Sequence, residues 1–387
     1  MWKPKEIPAS LSWGRAARLF SKVKTTLQQS LPGWRVVILS KKDMENVKVP
    51  ETVLVTGGSG FIASYCIMAL LNKGYKVRAS LRSLSRVEDV KQMLSVGGIR
   101  DFDNLSFVEA DLSREEGWTA AAEGCSYVIH PASPTPNPSA RHEDEYVVPA
   151  VNGVLFLLRA AKAAGVRRVV LTSAFGAVGM GTDKKTPYTE EDWSDLTRDI
   201  PAYQKSKTLS EKAAWEYIAG EGKGLELAVV NPVAVLGPVL GADHSHSIRI
   251  IRGMLDGTTK GLPKIRFCYV DVRDVADLHL KAMVLPAANG QRFLATSGKA
   301  ISMQDIADIL HAGLGAKAAR VPRKELPSWL IRVVALFNPR VRLVLPHLGI
   351  AKEASHEKAS RLLGWHPRSN REAVLATGQS LVDLGLA

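Results

Sequence analysis

The stretch Thr52-Val-Leu-Val-Thr-Gly-Gly-Ser-Gly-Phe-Ile-Ala63 passes from an apolar strand through a glycine-rich turn into a helical pattern that continues to Asn72. Gly57 permits a tight turn, Gly60 lets the start of the helix approach a pyrophosphate, and Ala63 allows the helix to pack closely on the strand. The backbone amides and the dipole at the start of a helix favour a bound anion. Such a turn can also serve packing alone, but its place between a strand and a helix predicts a dinucleotide site.

Outward from this turn, strand patterns alternate with helix patterns. After the first strand at 52–56, further strands are predicted at 76–81, 105–109, 127–130, 168–173 and 225–231, and helices at 61–72, 146–164 and 203–219. This alternation is typical of an α/β protein with a doubly wound parallel sheet of the Rossmann type. Right-handed crossovers in such a sheet bring the turns after the strands to one edge.

The regular alternation of strand and helix patterns ends after Asn231, in a region rich in proline and glycine. A helix is predicted at 247–255 and short strands at 267–270 and 293–296, followed by several short helices. We interpret residues 49–235 as a Rossmann domain that binds the cofactor. Residues 236–387 are predicted to form a smaller substrate-binding lobe, interleaved with that domain, that shapes a pocket at the carboxyl edge of the sheet.

The composition is that of an ordinary globular protein, with 46% hydrophobic and 23% charged residues in a chain of 387. The net charge of +13 is uneven, because residues 1–43 hold nine lysines and arginines against two acids. No basic strands rich in aromatic residues and no zinc-ligand spacing accompany this charge, so we expect no nucleic acid partner. Three widely separated cysteines fit neither a disulfide framework nor a metal site, which suits a reducing compartment.

Residues 1–48 form a basic N-terminal extension that we expect to be poorly ordered. The segment is poor in acids and faintly amphipathic, as organelle transit peptides are, but it is equally an upstream extension without a fold. We expect a cytoplasmic location, with organelle import as the alternative. Stable membrane insertion is not expected, because the most apolar late stretch, residues 329–350, is interrupted by Arg332, Pro339, Arg340 and Arg342.

The end of the second strand bears on the choice of cofactor. An enzyme that uses NAD usually places an acid here for the ribose hydroxyls, whereas this chain has Arg82 and Arg86 and no acid before Glu88. A guanidinium pairs well with the extra phosphate of NADP, which the sequence therefore favours. The alternative is that both arginines are solvated. After the third strand, Asp111 is predicted either to accept the adenine amino group or to cap the following helix.

Tyr203 and Lys207 lie four residues apart in a predicted helix, which places both side chains on one face. An ammonium group beside a phenol favours the phenolate, so we expect Lys207 to lower the pKa of Tyr203 toward neutrality. Many Tyr-x-x-x-Lys pairs are ordinary helix surface. The position of this pair downstream of a dinucleotide turn predicts proton transfer beside a cofactor.

Several motifs occur together in one order and carry a resemblance to a known family. They are Thr56-Gly-Gly-Ser-Gly-Phe-Ile62, Ala110-Asp-Leu112, His130-Pro-Ala-Ser-Pro134, Leu171-Thr-Ser173, Tyr203-x-x-x-Lys207, Thr208-Leu-Ser-Glu-Lys-Ala-Ala-Trp215 and Asn231-Pro-Val-Ala-Val-Leu-Gly-Pro238. From about Val49 onward the chain resembles the extended short-chain dehydrogenase/reductases of the NAD-dependent epimerase/dehydratase superfamily, and within them the dihydroflavonol reductase-like group.

The resemblance implies hydride transfer between a nicotinamide and a carbonyl or alcohol carbon. It makes Tyr203 the general acid in reduction and Lys207 the residue that holds the nicotinamide ribose. It also implies that Ser133 lies where cofactor and substrate meet, the alternative being a plain turn residue between Pro131 and Pro134. The remaining cofactor contacts that it implies are Phe61, Ile62, Leu112, Pro232 and Val235.

One position departs from the family pattern. The group usually has Thr-Ser-Ser after the fifth strand, and its second serine binds the substrate oxygen, whereas this chain has Thr172-Ser173-Ala174. Neighbouring side chains on an extended backbone point to opposite faces, so either Ser173 reaches the substrate through a local bend or another group holds the carbonyl. Ser173 is nevertheless the nearest hydroxyl and is our candidate for the third catalytic residue.

The sequence thus predicts an NADP-dependent oxidoreductase that reduces an aldehyde or ketone to an alcohol. Within the superfamily the alternatives are a sugar-nucleotide epimerase and a hydroxysteroid-type dehydrogenase. Outside catalysis the alternative is a regulatory protein that binds NADP without turnover. The expected partner is a small-molecule carbonyl compound, and the sequence leaves its identity, the direction of the reaction and the oligomeric state open.

Overall fold

The computed structural model describes residues 51–134, 142–184, 186–242, 245–337, 342, 345 and 348–387. The predicted extension, residues 1–48, lies outside the described residues. The boundary at residue 235 between a cofactor domain and a substrate lobe stays a prediction.

The described elements follow one another in the order that the sequence patterns suggest. The strands are β1 Thr52–Val55, β2 Lys76–Leu81, β3 Leu105–Glu109, β4 Tyr127–His130, β5 Arg168–Thr172, β6 Glu226–Pro232, β7 Ala234–Leu236, β8 Arg266–Phe267, β9 Tyr269–Asp271, β10 Gln291–Ala295 and β11 Ile301–Ser302. The α-helices are α1 Phe61–Asn72, α2 Val87–Val96, α3 Trp118–Ala122, α4 Asp144–Ala163, α5 Ala202–Ala219, α6 His246–Leu255, α7 Val272–Val284, α8 Met303–Leu314, α9 Ser328–Phe337, α10 Glu357–Leu363 and α11 Asn370–Asp383.

Seven strands form one parallel sheet in the order β10-β6-β5-β4-β1-β2-β3. The order reverses direction between β1 and β4, as in a doubly wound sheet, and the predicted Rossmann-type fold is confirmed. The edge strand β10 comes from the C-terminal half of the chain and pairs with β6. Two smaller sheets, β7 with β9 and β8 with β11, extend the C-terminal half.

The main sheet is buried on both faces, which explains why its strands read as nearly continuous apolar runs. Val53 and Val55 point into a core formed with α1, α2 and α7, whereas Leu54 points into a second core formed with α3, α4 and α5. Alternate residues of each central strand serve the two cores in this way. Both faces of the sheet are therefore committed to packing, and its carboxyl edge is where a ligand can approach.

Several features of the fold differ from the sequence prediction, which included neither helix α3 nor strands β7 and β11. The predicted strand at 267–270 is two strands in different sheets, since Phe267 pairs with Ile301 of β11 while Tyr269 pairs with Ala234 of β7. Helix α2 was not predicted, although Val90, Met93 and Leu94 give it a buried face. The other predicted elements are present, with ends that differ by at most a few residues.

Among the described helices, α4 is long and apolar enough to cross a membrane by length and composition. Its buried residues include Val154, Leu157 and Ala161, which belong to the second core, and the helix packs along α5. The apolar composition of α4 is therefore accounted for by its place against the sheet.

Candidate active site

The glycine-rich turn between β1 and α1 packs closely against the segment that follows β4 and is bound to β2 by hydrogen bonds. Gly57 has a left-handed φ of +62°, and a Cβ atom placed on it would lie 3.1 Å from the Cβ of Ala132. The Gly57 amide donates to Ser80 Oγ at 3.2 Å, and the Gly58 amide donates to Ser80 O at 2.8 Å. These bonds tie the turn to β2, so the backbone that follows is held in a fixed position.

The glycine at 58 has a role that the sequence prediction did not assign. A Cβ atom there would lie 2.9 Å from the Cβ of Ala79 in β2, which is closer than real Cβ contacts. The helix that follows starts at Phe61, with Gly60 before it, no side-chain cap and no acid in its first turn. The first-turn amides, including that of Ile62, are therefore open to an anion.

Arg82 and Arg86, which the sequence treats alike, differ in the structure. Arg82 is exposed and forms no ion pair or hydrogen bond with a described residue, whereas Arg86 pairs with Asp89 at 3.2 Å. The charge of Arg82 also helps to lower the pKa of Asp111. Arg82 is thus the guanidinium at the carboxyl end of β2 that is available to a phosphate.

Asp111 closes a turn rather than capping a helix. Its Oδ1 atom accepts hydrogen bonds from Ser113 N at 2.8 Å and from Ser113 Oγ at 2.9 Å. Partial burial alone would raise the pKa of this carboxyl, but these hydrogen bonds and the charge of Arg114 outweigh it and lower the pKa. The alternative that Asp111 caps the next helix is wrong, because α3 begins at Trp118 after Gly117.

Tyr203 and Lys207 lie one turn apart on α5, as predicted. The Tyr203 hydroxyl forms no hydrogen bond with a described residue, and burial raises its pKa. The buried Lys207 donates from Nζ to Thr172 O at 3.3 Å. Burial lowers the pKa of Lys207 to about 8, although the nearby charge of Glu211 opposes the shift. The expected lowering of the Tyr203 pKa by Lys207 is wrong for this structure, since burial of the phenol dominates.

Lys207 lines a small recess together with Ser173, Ser133 and Leu112. Ser173 is buried, and its Oγ atom has no hydrogen-bond partner among the described residues. The neighbouring Thr172 hydroxyl is instead bound to His279 Nε2 at 2.7 Å. Ser173 therefore brings a free hydroxyl to the recess, while the extended backbone at Ala174 places only a methyl group at the position of the family's serine.

His130 lines the recess and contacts Thr56, the residue before the glycine turn. Its Nδ1 atom lies 2.7 Å from Thr56 Oγ1, and that oxygen also accepts from Ala132 N at 3.2 Å. Burial first, and the charge of Lys207 second, lower the pKa of His130 to about 3, so its ring is neutral at physiological pH. This neutral histidine positions the segment that carries Ser133.

The two residues predicted on the nicotinamide side lie at the carboxyl end of β6 and in the strand β7 that follows it. Pro232 is the last residue of β6 and pairs with Ala295 of β10. Val235 is buried in β7, and its carbonyl accepts from Ser245 Oγ at 3.3 Å. Neither residue lines the recess with Lys207.

A buried charged network behind Lys207 was missed by sequence reasoning. Glu211 accepts from Arg292 Nε at 2.5 Å and from Asn231 Nδ2 at 2.8 Å, and Arg292 also donates to Glu190 O at 2.8 Å. Glu211 is completely buried and Arg292 nearly so. The spacing Tyr203, Lys207, Glu211 is a signal for Glu211, whereas Arg292 lies on a strand 81 residues away.

Comparison with known proteins agrees with this geometry. Residues 53–294 match the sequence profile of the NAD dependent epimerase/dehydratase family. Cinnamoyl-CoA reductase 1 of Arabidopsis thaliana is 38% identical over 257 residues, which are 64% of this chain and 71% of that protein. Dihydroflavonol 4-reductase of Dianthus caryophyllus is 35% identical over 297 residues, which are 74% of this chain and 78% of that protein.

Solved structures support the fold in the same way. The yeast methylglyoxal/isovaleraldehyde reductase Gre2, solved as a complex with NADPH, superposes with a TM-score of 0.72 at 27% sequence identity. The match covers 87% of this chain and 100% of that one. The predicted resemblance to the dihydroflavonol reductase-like group is confirmed.

Proposed function

The chain belongs to the NAD-dependent epimerase/dehydratase family, and from this premise we propose that it reduces an aldehyde or ketone to an alcohol with NADPH. The observation that carries the proposal is the pairing of a free Tyr203 hydroxyl with the buried Lys207 at the carboxyl edge of the sheet. The glycine turn opens at the same edge. The relatives reported above are reductases by name, and one structural relative was solved with NADPH.

The residues at this edge fit a dinucleotide. The backbone at Gly57 and Gly60 and the amides of Phe61 and Ile62 would hold the pyrophosphate, because no side chain caps the helix and its first turn contains no acid. Arg82 would hold the extra phosphate of NADP. Asp111 and Leu112 would flank the adenine, Lys207 would hold the nicotinamide ribose, and Pro232 and Val235 would lie on the nicotinamide side.

The protein's own contribution to the reaction is to hold the carbonyl and to supply a proton. When bound, NADPH supplies the hydride. The raised pKa of Tyr203 keeps the phenol protonated at neutral pH, which suits a general acid that donates to the carbonyl oxygen. Ser173, with its unpartnered hydroxyl, would donate a second hydrogen bond to the same oxygen.

We test the function by following NADPH oxidation across a panel of aldehydes and ketones. We expect consumption of NADPH and formation of the matching alcohol with at least one carbonyl class. Interconversion of a sugar nucleotide without net consumption of the cofactor would instead identify an epimerase. Tight binding of NADPH with no turnover of any compound would identify a regulatory protein.

Arg82→Ala should weaken NADPH binding much more than NADH binding, because only NADPH carries the extra phosphate. Charge-assisted hydrogen bonds of this kind contribute about 1.5–3 kcal/mol, which is roughly tenfold to a hundredfold in Kd. Titration of both cofactors measures the ratio. The comparison variant is Arg86→Ala, whose guanidinium already pairs with Asp89 and whose loss should change the ratio little. Equal losses for both cofactors in Arg82→Ala would assign the phosphate to another residue.

Ser173→Ala should lower kcat for carbonyl reduction by roughly a hundredfold with little change in the Kd of NADPH, since one hydrogen bond to the reacting oxygen is lost. Adding Ala174→Ser to this variant should restore part of kcat, because it places a hydroxyl where the family carries one. A Ser173→Ala protein with the wild-type kcat would show that another group holds the carbonyl.

A further inference from the structure

Helix α9 exposes an apolar face that the proposed reaction does not use. Trp329 is 65% exposed, Val333 46%, Leu336 69% and Phe337 83%. The spacing of these residues places them on one side of the helix. Ile331 and Ala335 are buried on the opposite side and anchor the helix to the body of the protein.

So many exposed apolar side chains on one helix are unusual within the described part of the chain. Eleven large hydrophobic residues are exposed there, and α9 alone contributes five of them, the fifth being Val334. The others are spread over several other elements, as single exposed apolar residues commonly are. A contiguous exposed apolar patch indicates a surface that binds a protein, a ligand or a membrane.

The segment around α9 is also strongly basic. Residues 320–342 contain six lysines and arginines and one acid, Glu325. Arg323, Lys324 and Arg332 are exposed, and none of them forms an ion pair with a described residue. An apolar helix face flanked by free cations is the pattern of helices that lie in the interface of an anionic membrane.

We propose that α9 is a peripheral docking surface for an anionic lipid bilayer. Trp329 and Phe337 would enter the boundary between headgroups and acyl chains, while Arg323, Lys324 and Arg332 would pair with lipid phosphates and carboxylates. The helix has ten residues and is therefore about 15 Å long, half of the roughly 30 Å of a hydrocarbon core. It lies on the membrane rather than crossing it.

The positive charge around α9 favours a lipid surface over a second copy of this chain as the partner. A symmetric contact through α9 would bring two basic segments together, and burying like charges at an interface is costly. An anionic bilayer offers the opposite charge to the same residues. The inference concerns a surface that the proposed reaction does not use, and it does not depend on that reaction.

The experiment compares cosedimentation of the full chain with vesicles of phosphatidylcholine alone and of phosphatidylcholine with about a third phosphatidylserine, a content that gives an anionic surface. We expect binding to the anionic vesicles that weakens as salt is added. The variant Trp329→Ser/Phe337→Ser should lower the partition coefficient about a hundredfold or more. The variant Arg323→Glu/Lys324→Glu should remove the preference for phosphatidylserine.

The matched control is Leu84→Ser/Val96→Ser, which removes two exposed apolar residues from elsewhere and should leave the partition coefficient unchanged. Far-ultraviolet circular dichroism and thermal melting confirm that each variant is folded. Unchanged vesicle binding in Trp329→Ser/Phe337→Ser would overturn the proposal and assign binding to another part of the chain. Absence of vesicle binding, with a dimer that this variant dissociates in sedimentation equilibrium, would assign the face to a second copy.

Discussion

Tyr203→Phe should lower kcat for carbonyl reduction by about a thousandfold while NADPH binds with nearly unchanged affinity. The substitution removes one oxygen atom and keeps the ring, so the packing of the half-buried side chain on α5 is preserved. The phenolic proton has no acceptor among the described residues, so its loss breaks no hydrogen bond within them. The expected defect is therefore in proton donation and not in folding.

Steady-state kinetics with saturating NADPH and the best carbonyl substrate measure the change in kcat, and fluorescence titration measures the Kd of the cofactor. The matched control is Tyr217→Phe, which removes the same atom from the same helix outside the site. It should leave kcat unchanged. If Tyr203→Phe retained near wild-type kcat, a different group would have to supply the proton, and the assignment of the general acid would be wrong.

The central sheet was predictable because its strands are short apolar runs with glycine or polar residues at both ends. The bounds of β2, β3 and β4 agree with the predicted ranges residue for residue. A buried parallel strand needs apolar side chains on both faces, so a short apolar run in the sequence is enough to predict where such a strand lies. The helix after the glycine turn was equally clear, since Gly60 precedes it and Gly74 follows it with φ of +80°.

The C-terminal half was less predictable because partners distant in sequence decide its structure. Residues 267–270 form one apolar run, but Phe267 pairs with β11 and Tyr269 pairs with β7, and nothing local marks the division. The assignment of β10 to the edge of the main sheet likewise depends on β6, more than 50 residues earlier. Long-range pairing of this kind leaves no trace in local periodicity.

At the site, the spacing of residues along the sequence predicted which side chains share a helix face. It did not predict their pKa values or which charges are already paired. The sequence placed Tyr203 and Lys207 on one face, and the structure agrees. It predicted the wrong direction for the Tyr203 pKa because desolvation depends on the surrounding packing. It also could not separate Arg82 from Arg86, since only the structure shows that Arg86 already pairs with Asp89.

Arg292→Ala should lower the free energy of unfolding by about 3–5 kcal/mol, because it leaves the completely buried Glu211 carboxylate without its cation. In a chain of 387 residues a loss of this size corresponds to a fall in Tm of about 4–6 °C. Thermal and urea unfolding measure it. The exposed pair Lys91 and Glu88 is the control, since Lys91→Ala should cost less than about 1 kcal/mol.

A double variant separates the unpaired charge from lost packing. Replacing both partners, as in Glu211→Leu/Arg292→Met, removes the buried charge together with its cation, and this should recover most of the stability that Arg292→Ala loses. Because Glu211 also raises the pKa of Lys207, its loss should move that pKa below about 8 and shift the alkaline limb of the pH–kcat profile downward. The double variant would contradict this if its loss of unfolding free energy equalled the sum of the losses in the two single variants and its pH–kcat profile were unchanged. The network would then be ordinary packing that does not set the charge of Lys207.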